Sequence, residues 1–372
     1  MKSYQYRPRL AATTLSKTRS YRALDTESAM QSFPDVSPIF IVGAPRSGTT
    51  LLQLVLNAHP DVAIHGEIHF FDQVMQLKSE IPDLDTAGRL DNFFGQLHRP
   101  SAFRHLPDIE SRLEIVRTRL GRCENASYEL FYRILIDEFA ERNGASRGGE
   151  KTPQNIRYLS ELLQVFPSAK VVHIVRDPRA VVSSLRRMPW APDSIALNAL
   201  KWKVDMLFMR DFVNSGGTVH TLKYEDLVSE PEPNLRTLSD FLGVGWDPAM
   251  LEFSETADSN VRDEPWKDGT RRQINRDAVS GWRDSLTSAD IALVQMIAEP
   301  FLSHFGYQPE SMGTATKLKL PWQLTRDMAA YAYARLATRE DGAEDTQADI
   351  IHGEETRLKA KFAEAVLTWR LQ

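Results

Sequence analysis

Ile39-Phe40-Ile41-Val42-Gly43-Ala44-Pro45-Arg46-Ser47-Gly48-Thr49-Thr50-Leu51-Leu52 is the stretch on which the fold turns. Four apolar residues in a row suit a strand buried on both faces, as in a parallel sheet. Leu51-Leu52-Gln53-Leu54-Val55-Leu56-Asn57 then reads as a helix that stops at Pro60. Between them, Gly43 and Gly48 let backbone N–H groups approach an anion closely, and the helix N-terminus adds positive potential. Ser47, Thr49 and Thr50 offer hydroxyls and Arg46 a charge. Strand, glycine loop and helix together predict a phosphate cradle rather than a plain turn.

A second segment of the same kind lies downstream. Lys170-Val171-Val172-His173-Ile174-Val175-Arg176 reads as another buried strand, and Asp177-Pro178 opens a helix running through Ser184 and Leu185. Asp suits the N-cap and Pro the first turn. Arg176 therefore stands at the carboxyl end of a strand, where ligands of open α/β sheets gather. Its planar fork suits a phosphate. Two other readings stay open from the residues alone: a metal-holding strand that ends in Asp177, and an ordinary Arg176–Asp177 surface ion pair.

The first loop matches the pattern G-x-x-x-x-G-K-[ST] at Gly43, Gly48 and Thr50, but Thr49 stands where a nucleoside triphosphatase carries its lysine. That weighs against a small-molecule kinase with an altered loop. The run from Ala44 to Leu52 instead resembles the 5′-phosphosulfate loop of sulfotransferases that use 3′-phosphoadenosine 5′-phosphosulfate (PAPS). Arg176 to Ser184 is similar to the 3′-phosphate motif of the same family, an Arg after a strand and a Ser eight residues on. The resemblance runs from Pro38 to Pro309 and is nearest to the branch of tyrosylprotein and bacterial sulfotransferases.

That resemblance implies an α/β fold with a central parallel sheet flanked by helices and a P-loop-like nucleotide site. It implies PAPS as co-substrate without a metal, and in-line attack by an acceptor hydroxyl on sulfur. Pro45, Arg46, Ser47, Gly48, Thr49 and Thr50 would bind the 5′ end, and Arg176 and Ser184 the 3′-phosphate. Tyr224, in Tyr224-Glu225-Asp226-Leu227, would sit near the nucleotide, unless it is merely half-buried at a strand end. Arg272, with Arg271, is a candidate for a basic late loop over the 3′-phosphate by rough position only.

Catalytic candidates follow the first helix. In His65-Gly66-Glu67-Ile68-His69, Glu67 is the favoured general base by resemblance, with His65 and His69 as rivals and a structural carboxylate as the bland alternative. Lys151, in Gly149-Glu150-Lys151-Thr152-Pro153, would stabilise the bridging oxygen as the bond breaks, with Arg46 steadying the transferred group. A solvated loop lysine is the competing reading of Lys151. The acceptor itself, whether small molecule, carbohydrate, lipid or peptide tyrosine, is not written in these motifs. Arg186-Arg187-Met188-Pro189-Trp190 is a candidate acceptor lip, and Trp202 reads as core.

The rest of the chain sets bounds. The 372 residues are 42% hydrophobic, enough for a sizeable core. A net charge of -5 disfavours a nucleic-acid partner. Residues 1–36 form a basic arm, less suited to an organelle transit peptide than to a flexible extension. Residues 37–310 would be the catalytic domain, and residues 311–372 a helical extension. In that extension Leu324, Met328, Tyr331 and Leu336, then Leu358, Phe362, Val366 and Trp369, form helical stripes. These suit packing on the domain, on a second copy, or, in a non-catalytic nucleotide-binding module, on an assembly partner. Cys123 is the only cysteine and no run approaches membrane-spanning length. With no disulfide and no anchor, the expectation is a cytoplasmic enzyme.

Overall fold

The computed structural model describes residues 37–99, 103, 109–253, 277–313, 320, 322, 324–327 and 360–365. The basic arm and the Arg271–Arg272 pair lie outside the described residues.

Five parallel strands form one sheet in the order β2-β3-β1-β4-β5. They are β1 (Ile39–Val42), β2 (Val62–His65), β3 (Arg147–Lys151), β4 (Lys170–Val175) and β5 (Val219–Lys223). Strand β1 is central, paired with β3 through Ile41↔Lys151 and with β4 through Val42↔His173. All four of its side chains are fully buried. Their alternation feeds both layers. Ile39 and Ile41 pack with Leu51, Leu52 and Val55 of helix α1 (Thr49–Asn57). On the other layer Phe40 meets Tyr132 and Phe166, with ring centroids 6.1 and 5.2 Å apart. Each such side chain contributes about 1.5–3 kcal/mol on burial, and a continuous apolar run is what a strand covered on both faces needs.

Between β2 and β3 the described residues include the helices α2 (Ala87–Gln96), α3 (Ile109–Leu120) and α4 (Tyr128–Arg142). Ser127 caps α4 by accepting from the Leu130 N–H. Helix α5 (Leu159–Val165) leads into β4, and α6 (Pro178–Leu185) follows it with Asp177 as N-cap, its carboxylate accepting from the Arg179 N–H. The long α7 (Ile195–Asn214) packs against α6 and buries Trp202, as expected. Beyond β5 come α8 (Tyr224–Ser229) and α9 (Pro231–Leu242), the latter closed by Gly243 at φ 70°.

Two readings change. The turn expected after Lys223 is the start of α8, with Tyr224 in its first position. Residues 147–151, which carry no apolar periodicity, form β3. The described parts of the C-terminal extension pack on this same body. Leu320 and Ala365 are buried, and Leu324 and Phe362 partly so, against the core of α6, α7 and α10 (Ser288–Ala298).

Candidate active site

Because the strands are parallel, their carboxyl ends form one edge, and the expected site residues collect there. Gly43 follows β1, Lys151 ends β3, Arg176 follows β4, Tyr224 follows β5, and Glu67 lies two residues beyond β2. The order places β3 and β4 on either side of β1, so the chain changes direction at the glycine loop. Such a switch point is where open α/β sheets bind ligands.

The loop geometry explains its glycines. Gly48 has φ 99°, and a Cβ there would lie 2.4 Å from the Tyr224 ring. A Cβ on Gly43 would lie 2.4 Å from the Ile174 carbonyl oxygen. Arg46 is held at φ 70°, a left-handed conformation that a non-glycine residue adopts only when its surroundings enforce it. Helix α1 has no side-chain cap and no acid in its first turn. Its first N–H groups thus lack the acceptor that most helices supply for themselves.

Arg46, Arg176, Ser184 and Tyr224 meet as one cluster. Arg46 Nε donates to Ser184 Oγ at 3.1 Å. Arg176 Nη1 donates to the Arg46 carbonyl at 3.0 Å, and Nη2 to the Ala278 carbonyl at 2.5 Å. The Arg176 guanidinium lies 4.3 Å from the centroid of the Tyr224 ring. Tyr224 is 7% exposed, which makes it the floor of the loop rather than a half-buried strand end. Asp177 does not pair with Arg176. Its carboxylate takes Arg179 at 2.7 Å, so the surface ion-pair reading of Arg176–Asp177 falls away. Two buried polar atoms in this cluster, Ser47 Oγ and Arg176 Nε, have no protein partner among the described residues. A buried donor without an acceptor is costly, and an anionic ligand would satisfy both.

The second cluster centres on Glu67. Lys151 Nζ donates to Glu67 Oε1 at 2.5 Å. Lys151 is 1% exposed, which rules out a solvated loop lysine. His69 Nε2 lies 3.3 Å from Glu67 Oε2, and His69 Nδ1 lies 2.9 Å from Asp72 Oδ2. His65 faces elsewhere: it is buried, 4.8 Å from the Phe139 ring by centroids. Cations and carboxylates therefore alternate, Lys151–Glu67–His69–Asp72.

Sequence reasoning missed what holds this cluster. Glu150, fully buried beside Lys151 on β3, accepts from the Ile68 N–H at 2.9 Å, Tyr132 Oη at 2.6 Å, Asn155 Nδ2 at 2.7 Å and the Thr152 hydroxyl. Burial pushes the Glu150 carboxyl above its usual range, against the pull of these donors. Adjacent strand residues point to opposite faces, so Glu150 anchors the loop while Lys151 meets Glu67. Tyr132 and Asn155 carry no motif that would have singled them out. Arg271 and Arg272 lie outside the described residues, so the late basic loop is not among the groups placed here.

The sulfotransferase family pattern matches residues 38–248, more than half of the chain. Protein-tyrosine sulfotransferase A of Caenorhabditis elegans is 26% identical over 283 residues, covering 73% of this chain and 68% of that protein. Protein-tyrosine sulfotransferase 1 of Danio rerio is 25% identical over 296 residues, covering 74% of each. Among solved structures, the sulfotransferase domain from the Synechococcus PCC 7002 olefin synthase aligns at 24% identity and a TM-score of 0.49, over 71% of this chain and 96% of that one.

These relatives correct the expectation of a cytoplasmic location. Protein-tyrosine sulfotransferases act in the Golgi lumen. A single thiol cannot form an intramolecular disulfide in any compartment, so its isolation carries no redox address. No helix among the described residues is long and apolar enough to cross a membrane.

Proposed function

The chain belongs to the sulfotransferase family, and from that premise we propose that it uses PAPS to sulfate an acceptor hydroxyl at the carboxyl edge of its sheet. The observation that carries this reading is the convergence of two polar clusters on one edge. One has unsatisfied buried donors beside a glycine loop, and the other has a carboxylate in contact with a buried lysine.

The loop from Pro45 to Thr50, with the uncapped start of α1, suits the 5′ anionic group. Its backbone N–H groups and hydroxyls need no reorganisation to meet negative charge. Arg176 and Ser184 suit the 3′-phosphate, and Tyr224 braces Arg176 through its ring. A site built around that phosphate favours PAPS over ATP. When bound, PAPS supplies the sulfuryl group and leaves as adenosine 3′,5′-bisphosphate.

Glu67 is the general base. At 25% side-chain exposure it stays reachable, whereas Lys151 at 1% is a fixed internal charge. Lys151 occupies Glu67 Oε1 in the resting arrangement. Turning toward the bridging oxygen, it stabilises the negative charge that develops there, while Glu67 takes the hydroxyl proton. Arg46, already tethered to Ser184, supplies a second positive charge at the same edge. The acceptor is an oxygen nucleophile. The protein-tyrosine sulfotransferase relatives make a peptide tyrosine the first acceptor to try.

Titration calorimetry of the full chain with adenosine 3′,5′-bisphosphate against ATP tests the reading. The bisphosphate should bind at least about tenfold more tightly. Preferential ATP binding would overturn the assignment and restore a kinase.

A further inference from the structure

We propose that His69 and Asp72 are positioning residues for Glu67, the histidine acting as a fixed cation that holds one carboxylate oxygen while the other works. The inference rests on the reading of Glu67 as the base.

Both ring nitrogens of His69 face carboxylates, Nδ1 toward Asp72 Oδ2 at 2.9 Å and Nε2 toward Glu67 Oε2 at 3.3 Å. A neutral imidazole has one N–H and satisfies one such partner. An imidazolium satisfies both. Burial works against that charge, but Asp72 and then Glu67 outweigh it and push the His69 pKa up to about 10. The charged groups around the ring are Glu67, Asp72, Lys151 behind Glu67, and the buried Glu150 on β3. A histidine already carrying both protons has no lone pair with which to take a third, so His69 does not compete for the role of base.

The backbone is committed to this arrangement. His69 sits at φ 54°. Its N–H donates to Thr152 Oγ at 3.4 Å, and its carbonyl accepts from the Gln73 and Val74 N–H groups at 2.9 and 3.2 Å. Asp72, three residues on, is thereby brought back onto the ring. The two oxygens of Glu67 are then divided between two cations, Oε1 on Lys151 and Oε2 on His69. When Lys151 turns to the transferred group, Oε2 stays on His69. The acceptor proton goes to Oε1, and the carboxylate does not swing away.

The test uses the full-length protein with ring-¹⁵N histidine, the His69 signals being assigned by their loss in His69→Gln. In the wild type both ring nitrogens should remain protonated at about pH 8, where an ordinary histidine is neutral. Asp72→Asn and Glu67→Gln should each lower the His69 midpoint by at least about one unit, and Lys151→Met should not lower it. A neutral His69 at that pH, or a midpoint indifferent to Glu67→Gln, overturns the proposal. Loss of bisphosphate binding by the wild type would instead sink the nucleotide reading, while the His69 titration still reports on its coupling to Glu67. Should Asp72→Asn fail to fold, Glu67→Gln alone decides.

Discussion

Lys151 shows how one charge can be kept inside a protein. Its ammonium is almost fully buried, a state that costs several kcal/mol unless it is paired, and Glu67 provides the pair at 2.5 Å. Breaking the pair from either side leaves the partner charge in a poor environment and, on the proposed mechanism, also removes a reacting group. Glu67→Gln and Lys151→Met should each lower turnover of labelled PAPS by about 10²–10⁴-fold. The proposed mechanism puts Glu67 on the acceptor side, so bisphosphate affinity should be largely retained in Glu67→Gln. Equal losses of binding and turnover in that variant would place Glu67 in the nucleotide site instead. Arg176 illustrates the other device. Stacking on Tyr224 and donation to two carbonyls fix its fork, so binding of the proposed 3′-phosphate would cost less side-chain entropy.

Elements are joined here by side chains acting at helix ends. Helix α7 begins at Ser194, whose hydroxyl accepts from the Leu197 N–H. Asp327, from the C-terminal extension, accepts from Ser194 Oγ at 2.6 Å, the Ile195 N–H at 3.2 Å and the Ala196 N–H at 2.8 Å. A distant carboxylate thus completes the cap and neutralises the positive end of a 20-residue helix. Asp327→Ala should lower stability to urea by about 1–2 kcal/mol, with an unchanged slope of the unfolding curve. No loss would mean that water replaces the carboxylate without penalty. The extension is tied down again at its other described segment, where Glu364 meets Arg210 at 2.7 Å and Lys361 meets Asp211. Of the second apolar stripe, Phe362 alone is among the described residues; it packs partly buried against the domain core, and Ala365 is fully buried.

At the scale of the whole molecule, the charge of -5 conceals a sheet edge rich in cations. Arg46, Lys151 and Arg176 sit at the ends of neighbouring strands, with His69 behind Glu67. The His69 charge couples this edge to global stability. Its folded pKa, about 10, lies above its ordinary value of 6.5, so folding favours the protonated ring. That contribution is complete below about pH 6.5 and is lost as pH rises through about 10. In thermal unfolding, the margin of wild type over His69→Gln should therefore be constant in mild acid and shrink through the alkaline range. A margin that grows with pH would mean the ring is neutral in the native state.

The strands β1 and β4, the glycine loop and the capped start of α6 were legible in the sequence because each depends on neighbours within a few residues. Apolar runs, glycines at forced φ, and Asp177-Pro178 act locally. The candidate roles of Arg46, Arg176 and Ser184 were carried by two such motifs, and those of Glu67 and Lys151 by the family resemblance of two further short segments. Strand β3 was not legible. Arg147-Gly148-Gly149-Glu150-Lys151 has no apolar residue to mark it. It is a strand because glycine lets it press close: a Cβ on Gly149 would lie 2.2 Å from the Ile39 carbonyl oxygen, and one on Gly148 2.8 Å from the Ile136 side chain. Cytoplasmic location, inferred from the lone Cys123 and from the lack of a membrane-spanning run, failed because neither feature carries a compartment signal. The two turns that follow β1 and β4, and their order, could be read from sequence alone. It took the tertiary structure to show that Tyr132, Glu150 and Asn155 surround the strand beside the Glu67 loop, and that His69 lies between the carboxylates of Glu67 and Asp72. Those properties depend on burial and on charges brought together from separate strands, which no local run of residues encodes.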